Sequence, residues 1–130
     1  MANKVGKSDT HGARIIITGG CGFIGSHVAE RAVAEGMETL VIARRASNRS
    51  RLCAVADRIT IASCALENRD GLRRIVATFK PRYVVHLAAS RERGSSAETL
   101  RALYTTNVLG TLNVLDALSQ GSDLKRFVHI

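Results

Sequence analysis

The chain has 130 residues, 45% of them hydrophobic and 23% charged, with one proline and no tryptophan, which suits one soluble globular domain. No apolar run approaches the roughly 20 residues of a membrane helix, and Met1 to Gly12 lacks the apolar stretch of a secretory signal, so these twelve are expected to be a disordered polar tail before a domain over 13–130. The net charge of +8 raises nucleic acid as a partner, but the basic residues are dispersed apart from Arg44, Arg45, Arg49 and Arg51, and 4% aromatics offer no stacking platform.

Ile15 to Thr18 is a continuous apolar run of strand length, the pattern of a strand buried on both faces. It ends in Gly19-Gly20-Cys21-Gly22-Phe23-Ile24-Gly25, which opens into a helix over Phe23 to Glu35 with Ile24, Val28, Ala32 and Val33 inward and Gly36 as its cap. Strand, glycine turn and helix in that order form a seat for a dinucleotide pyrophosphate. Gly19 supplies the tight turn, Gly22 lets the backbone approach the phosphates, and Gly25 lets helix and strand pack closely. Thr39 to Ala43 reads as a second buried strand, followed by a basic loop with a helical turn around Arg51 to Val55. Arg58 to Ala62 is a weaker third strand, Asp70 to Phe79 a helix stopped by Lys80-Pro81, and Tyr83 to Leu87 a fourth strand. Ser95 or Ser96 caps a long helix to about Gln120, with Leu100, Leu103, Tyr104, Val108, Leu112, Leu115 and Leu118 on or near one face. Arg126 to Ile130 begins a fifth strand.

Strands alternating with helices imply parallel pairing through right-handed crossovers. The expected fold class is α/β, a Rossmann-type doubly wound parallel sheet of about five strands in the order 3-2-1-4-5, with its ligand crevice at the carboxyl ends of strands one and four. Cys21, Cys53 and Cys64 show no paired spacing and suggest reduced thiols in the cytoplasm. Cys21, at a helix N-terminus, is read as a small turn-filling residue, the alternative being a thiol of lowered pKa. No Cys and His cluster has metal-ligand spacing.

The turn Thr18 to Gly25 resembles that of the NAD(P)-dependent epimerase/dehydratase family of the extended short-chain dehydrogenase/reductase superfamily. His86-Leu87-Ala88-Ala89 after the fourth strand, Asn107-Val108-Leu109-Gly110-Thr111 in the long helix, and Lys125 to Ile130 at the fifth strand extend the resemblance over Ala13 to Ile130. It implies that Phe23 and Ile24 donate backbone N–H groups to the pyrophosphate. It also implies that Leu87, Ala88 and Ala89 line the cleft near the nicotinamide-side ribose, and that Asn107 bonds backbone there and fixes the wall of the site.

Three departures matter. The carboxylate that would hold the adenosine ribose falls by spacing at Ala43, with Arg44 and Arg45 next and no Asp or Glu between Thr39 and Ala56. A guanidinium can pair with a 2′-phosphate, so the cofactor expected is NADP in preference to NAD. The family's adenine-contacting aspartate aligns with Ala65, next to Leu66, which leaves backbone groups alone for that contact. The family's Tyr-x-x-x-Lys pair and its Ser or Thr would lie beyond Ile130. Tyr83 and Tyr104 have Leu87 and Val108 four residues on, so both are read as packing residues, and no catalytic residue is assigned. His86 is read as a core or cleft-wall residue and His27 as exposed or packing.

The expectation is therefore the NAD(P)-binding portion of a nucleotide-sugar epimerase, dehydratase or reductase, truncated before the catalytic helix. The substrate class is a nucleotide sugar, with neither nucleic acid nor membrane as partner and a homodimer through the long helix. The alternative is a non-catalytic NADP(H)-binding or redox-sensing module of the same fold.

Overall fold

Three consecutive isoleucines, Ile15, Ile16 and Ile17, occupy the centre of the first strand and are at most 6% exposed, as a strand with both faces covered requires. The computed structural model describes residues 10–121 and 123–130. Its five strands are β1 (Arg14–Thr18), β2 (Glu38–Ala43), β3 (Ile59–Ser63), β4 (Tyr83–His86) and β5 (Arg126–His129). They form one sheet, all pairs parallel, in the order β3-β2-β1-β4-β5. The doubly wound order read from the alternating pattern is thus the observed one.

The period-2 alternation of side chains divides the core between the two faces. Ile15, Ile17 and Val41 pack under α1 (Phe23–Ala34) with Leu52 and Val55 of a 3₁₀ turn, Ser50–Val55. Ile16, Leu40, Ile42 and Val84 pack under α2 (Arg69–Phe79) and α4 (Gly110–Ser119) with Leu72, Val76, Val114 and Leu118. The start of α2 is fixed by Asn68, whose side chain accepts from the Gly71 N–H at 2.9 Å. On its far side, Arg69 and Arg73 both grip the Asp116 carboxylate of α4 at 2.8 to 3.2 Å. These two guanidiniums hold the Asp116 carboxyl well below the usual carboxylate range.

The long helix differs from the expectation in two respects. It begins at the cap Ser96, which accepts from the Thr99 N–H at 3.1 Å, and runs as α3 (Ala97–Tyr104) into α4 through one wide turn, Thr105–Leu109. There the Gly110 N–H reaches back five residues to the Thr105 carbonyl. The apolar positions also do not share one face. The face against the sheet is made by Gly110, Val114, Ala117 and Leu118, because small residues allow close approach; a Cβ on Gly110 would stand 2.8 Å from the Leu66 Cβ. Leu100, Tyr104, Val108, Leu112 and Leu115 are instead between 41% and 58% exposed. Tyr104 is thus not a packing residue within this chain.

The polar tail expected over 1–12 falls mostly outside the described residues. Thr10 to Gly12, however, form a turn tied to the domain, with the Gly12 N–H donating to the Gly36 carbonyl at 2.9 Å. Gly36, at φ +73°, lies one residue past Glu35, which is the residue that closes α1. Among the described residues no helix is long and apolar enough to cross a membrane.

Candidate functional site

The carboxyl ends of β1 and β4 lie side by side, and the segments leaving them touch. Gly19 adopts φ +72°, and a Cβ there would stand 2.7 Å from the Ala88 nitrogen and 2.8 Å from the Leu87 carbonyl carbon. Only glycine meets both demands. Gly25 is tighter still: its missing Cβ would stand 2.2 Å from the Gly19 oxygen. Gly22 is exposed and precedes α1, with its N–H donating to the Gly19 carbonyl at 3.0 Å and a Cβ position that meets only that carbonyl, at 3.2 Å.

Helix α1 has no acidic residue in its first turn and no side-chain cap at Gly22. The N–H groups of Phe23, Ile24 and Gly25 therefore point out of the helix end, where an anion also meets the positive end of the dipole. These residues fit a pyrophosphate: a bare N–H cluster, an open approach at Gly22, and side chains of Phe23 and Ile24 turned to solvent at 65% and 54% exposure. Ile24 is thus a correction, since the helical pattern placed it inward. Close packing at Gly25 rotates the buried face to Gly25, Ser26, Ala29 and Ala32.

Past β2, Ala43 is buried and Arg44 and Arg45 are exposed. The chain turns at once, the Ser47 N–H donating to the Arg44 carbonyl at 3.0 Å. That turn brings other residues beside the glycine loop. Cys21, Asn48, Ser50 and Arg51 line an open cleft of about 300 Å³, which Arg44 and Arg45 do not line. The Arg51 guanidinium lies 5.6 Å from the Phe23 ring centre, and Arg49 donates to the Ser63 hydroxyl at 3.1 Å. Asn48 and Ser50 were missed in the sequence, and Arg51 was read there only as part of the basic cluster, because loop geometry, not periodicity, puts them beside the turn. Burial pushes the Cys21 thiol up and outweighs the opposing pull of Arg49, so the turn-filling reading fits better than a reactive thiol.

After β3, Ala65 is half-buried and Leu66 is buried in the core. The Leu66 carbonyl accepts from the Asn113 side chain at 2.9 Å and the Ala65 carbonyl from the Asn68 N–H at 3.0 Å. Across the crevice, Leu87, Ala88 and Ala89 leave β4 beside Gly19. Asn107, in the wide helical turn, clasps this segment: its Oδ1 accepts from the Ser90 N–H at 2.7 Å and its Nδ2 donates to the Ser90 carbonyl at 3.0 Å. The backbone contact expected of Asn107 is present, and its partner is Ser90.

Beneath lies a network the sequence did not disclose. His86 is fully buried, with Nδ1 2.6 Å from the Thr18 hydroxyl and Nε2 2.9 Å from the Thr111 hydroxyl. Thr18 accepts from the Ala88 N–H at 3.2 Å, and Thr111 donates to the Asn107 carbonyl at 2.7 Å. Burial, with His129 5.1 Å away, pushes the imidazole down to about 4. The available signal was a threonine and a histidine closing otherwise aliphatic strands. Among the described residues, no group of three or more His, Cys, Asp or Glu side chains has the arrangement of a metal site. His27 lies exposed on α1, edge-on to the Phe23 ring.

Comparison with known proteins agrees with this geometry. The model of the NAD-dependent epimerase/dehydratase family matches residues 15–130. A UDP-glucose 4-epimerase of Rhizobium meliloti is 32% identical over 110 residues, 84% of this chain and 33% of that protein. A dTDP-glucose 4,6-dehydratase of Neisseria meningitidis is 32% identical over 130 residues, 90% of this chain and 37% of that one. Among solved structures, the Bordetella bronchiseptica enzyme WbmG in complex with NAD superposes with a TM-score of 0.80 at 32% identity, over 94% of this chain and 38% of WbmG. The Thermus thermophilus UDP-glucose 4-epimerase complex with NAD gives 0.72 at 34% identity, over 82% and 34% of the two chains. The chain spans about a third of the length of the curated relatives it matches. With a glycine turn, switch-point crevice and sheet order that all agree, the chain belongs to the NAD-dependent epimerase/dehydratase family.

Proposed function

We propose that this chain is the cofactor-binding part of an enzyme that transfers hydride between a nucleotide-sugar carbon and nicotinamide. The observation that carries the reading is the bare N–H cluster of Phe23, Ile24 and Gly25 behind the Gly19 turn, at the point where the strand order reverses. Gly22, Phe23, Ile24 and Gly25 hold the pyrophosphate. Leu87, Ala88 and Ala89 back the nicotinamide-side ribose, while Ala65 and Leu66 border the adenine. The bound dinucleotide supplies hydride exchange, and these residues orient it. The relatives' names, UDP-glucose 4-epimerase and dTDP-glucose 4,6-dehydratase, support a nucleotide-sugar substrate and lend no support to a non-catalytic module. Three free cysteines suit a reducing cytoplasm.

The dinucleotide is NADP in this reading. Ala43 leaves no carboxylate to accept from ribose hydroxyls or repel a 2′-phosphate, and Arg44 and Arg45 follow it, with Arg51 lining the nearby cleft. In calorimetric titrations NADPH is expected to bind roughly tenfold more tightly than NADH, and an Arg44→Ala Arg45→Ala variant to erase the difference. Equal affinities in the unmodified protein would remove the preference; binding of neither would remove the reading itself.

The exposed stripe of Leu100, Tyr104, Val108, Leu112 and Leu115 makes the long helix the self-association face. Sedimentation is expected to show concentration-dependent association that a Leu112→Glu Leu115→Glu variant abolishes while retaining cofactor binding. Sedimentation as a monomer at every concentration would count against it.

A further inference from the structure

The hydroxyl of Thr111 decides the protonation of a buried histidine. Its one hydrogen goes to the Asn107 carbonyl at 2.7 Å, so toward His86 Nε2 it can only accept. The Nε2 atom therefore carries the proton, and Nδ1 of the neutral ring accepts the Thr18 hydroxyl hydrogen across 2.6 Å. Thr18 then accepts in turn from the Ala88 N–H. Asn107 closes the ring by clasping Ser90 in both directions. Each hydroxyl and imidazole hydrogen in it has one acceptor, and the circuit joins the end of β1, the end of β4, the segment Leu87 to Ser90 and the wide turn of the helix.

We infer that His86, through Thr18 and Thr111, is a positioning residue that locks Leu87 to Ser90 against the wide helical turn and so sets the wall on which the nicotinamide-side half of the dinucleotide seats. The inference rests on the dinucleotide reading above. The adenosine half lies on the other side of the switch point, against the Arg44 to Arg51 loop, and no hydrogen bond of the circuit runs to that loop. Loss of a link therefore loosens one half of the seat and leaves the other.

The test titrates the unmodified chain and its Thr18→Val, Thr18→Ser, Thr111→Val and Thr111→Ser variants with NADPH and, separately, with ADP. Valine keeps the shape and removes the hydroxyl, whereas serine keeps the hydroxyl. NADPH affinity is expected to fall about five- to tenfold in each valine variant, to return in each serine variant, and ADP affinity to stay unchanged in the two Thr111 variants. The nitrogen-15 spectrum of the unmodified chain is expected to show His86 unprotonated at Nδ1. Parallel loss of ADP and NADPH in Thr111→Val, unchanged NADPH affinity in folded valine variants, or a proton on Nδ1 would each overturn the proposal. If one valine variant fails to fold, the other pair carries the comparison; if both fail, the Nδ1 signal decides it. If the unmodified chain binds neither ligand, the dinucleotide reading falls and the seat with it, a result distinct from failure of the valine comparison.

Discussion

A Gly25→Ala variant is expected to lose cofactor binding by at least about a hundredfold and about 2 to 4 kcal/mol of stability, although it adds a single methyl group. The methyl carbon would stand 2.2 Å from the Gly19 oxygen, 2.7 Å from the Gly20 Cα and 2.8 Å from the Gly19 carbonyl carbon. All three are backbone atoms, so no side-chain rotation relieves the clash. Either α1 withdraws from the sheet, exposing Ala29 and Ala32, or the Gly19 turn opens and its contact with Ala88 is lost. Gly22→Ala is the control. Its methyl meets only the Gly19 carbonyl, at 3.2 Å, so stability should change by less than about 1 kcal/mol while affinity falls, because the group projects where the pyrophosphate approaches. Chemical denaturation and NADPH titration read the two effects separately. A Gly25→Ala protein that binds as the unmodified one does would refute the assigned turn geometry.

Stability is expected to fall by about 3 kcal/mol on acidification, most of it between pH 6.5 and 4, through His86 alone. The imidazole pKa is 6.5 unfolded and about 4 in the fold. Because the folded value is the lower one, the unfolded chain takes up the proton first as pH falls. The contribution is complete above pH 6.5, declines below it and is lost as pH passes 4. Protonation also puts a hydrogen on Nδ1 facing the Thr18 hydroxyl and a charge 5.1 Å from the His129 ring, with Phe127 and Thr111 as the other neighbours. The Asp116 carboxylate, held below its ordinary value by Arg69 and Arg73, makes its loss at lower pH, outside this window. In urea melts across that window, a His86→Asn variant should be less stable at pH 7 and show a flatter pH dependence. Parallel curves for the two proteins would contradict the assignment.

The features legible in the sequence are those imposed by local chemistry. The run Ile15 to Thr18, the glycines after it and the cap at Ser96 each act on their immediate neighbours, and all lie where periodicity and turn chemistry put them. Alternating strands and helices sufficed for the sheet order, because right-handed crossovers leave few arrangements. What stayed hidden depends on distant residues meeting. His86 meets Thr18 across 68 positions and Thr111 across 25, and nothing in either local pattern announces the partner. The apolar periodicity of the long helix was legible, but its division between two faces was not. That division depends on Gly110 approaching Leu66 and on the extra residue in the turn Thr105–Leu109, which shifts the helical phase. Arg51 was read only as one of a basic cluster because Arg44 and Arg45 fit the spacing argument, whereas the fold of the loop brings Arg51 to the cleft.

Thr18, His86 and His129 stand directly opposite one another in the strand pairings, a single polar row across three parallel strands. The rest of β1 and β4 is largely branched aliphatic residues, which present near-identical surfaces after a slide along the strand. A displacement of β4 by two positions would keep the faces matched but set the His86 ring beside Ile16, with no hydroxyl for Nδ1. The polar row thus distinguishes one alignment from its neighbours during folding, as a key notch does among otherwise equal teeth. Removing it would leave a chain with a choice of strand alignments.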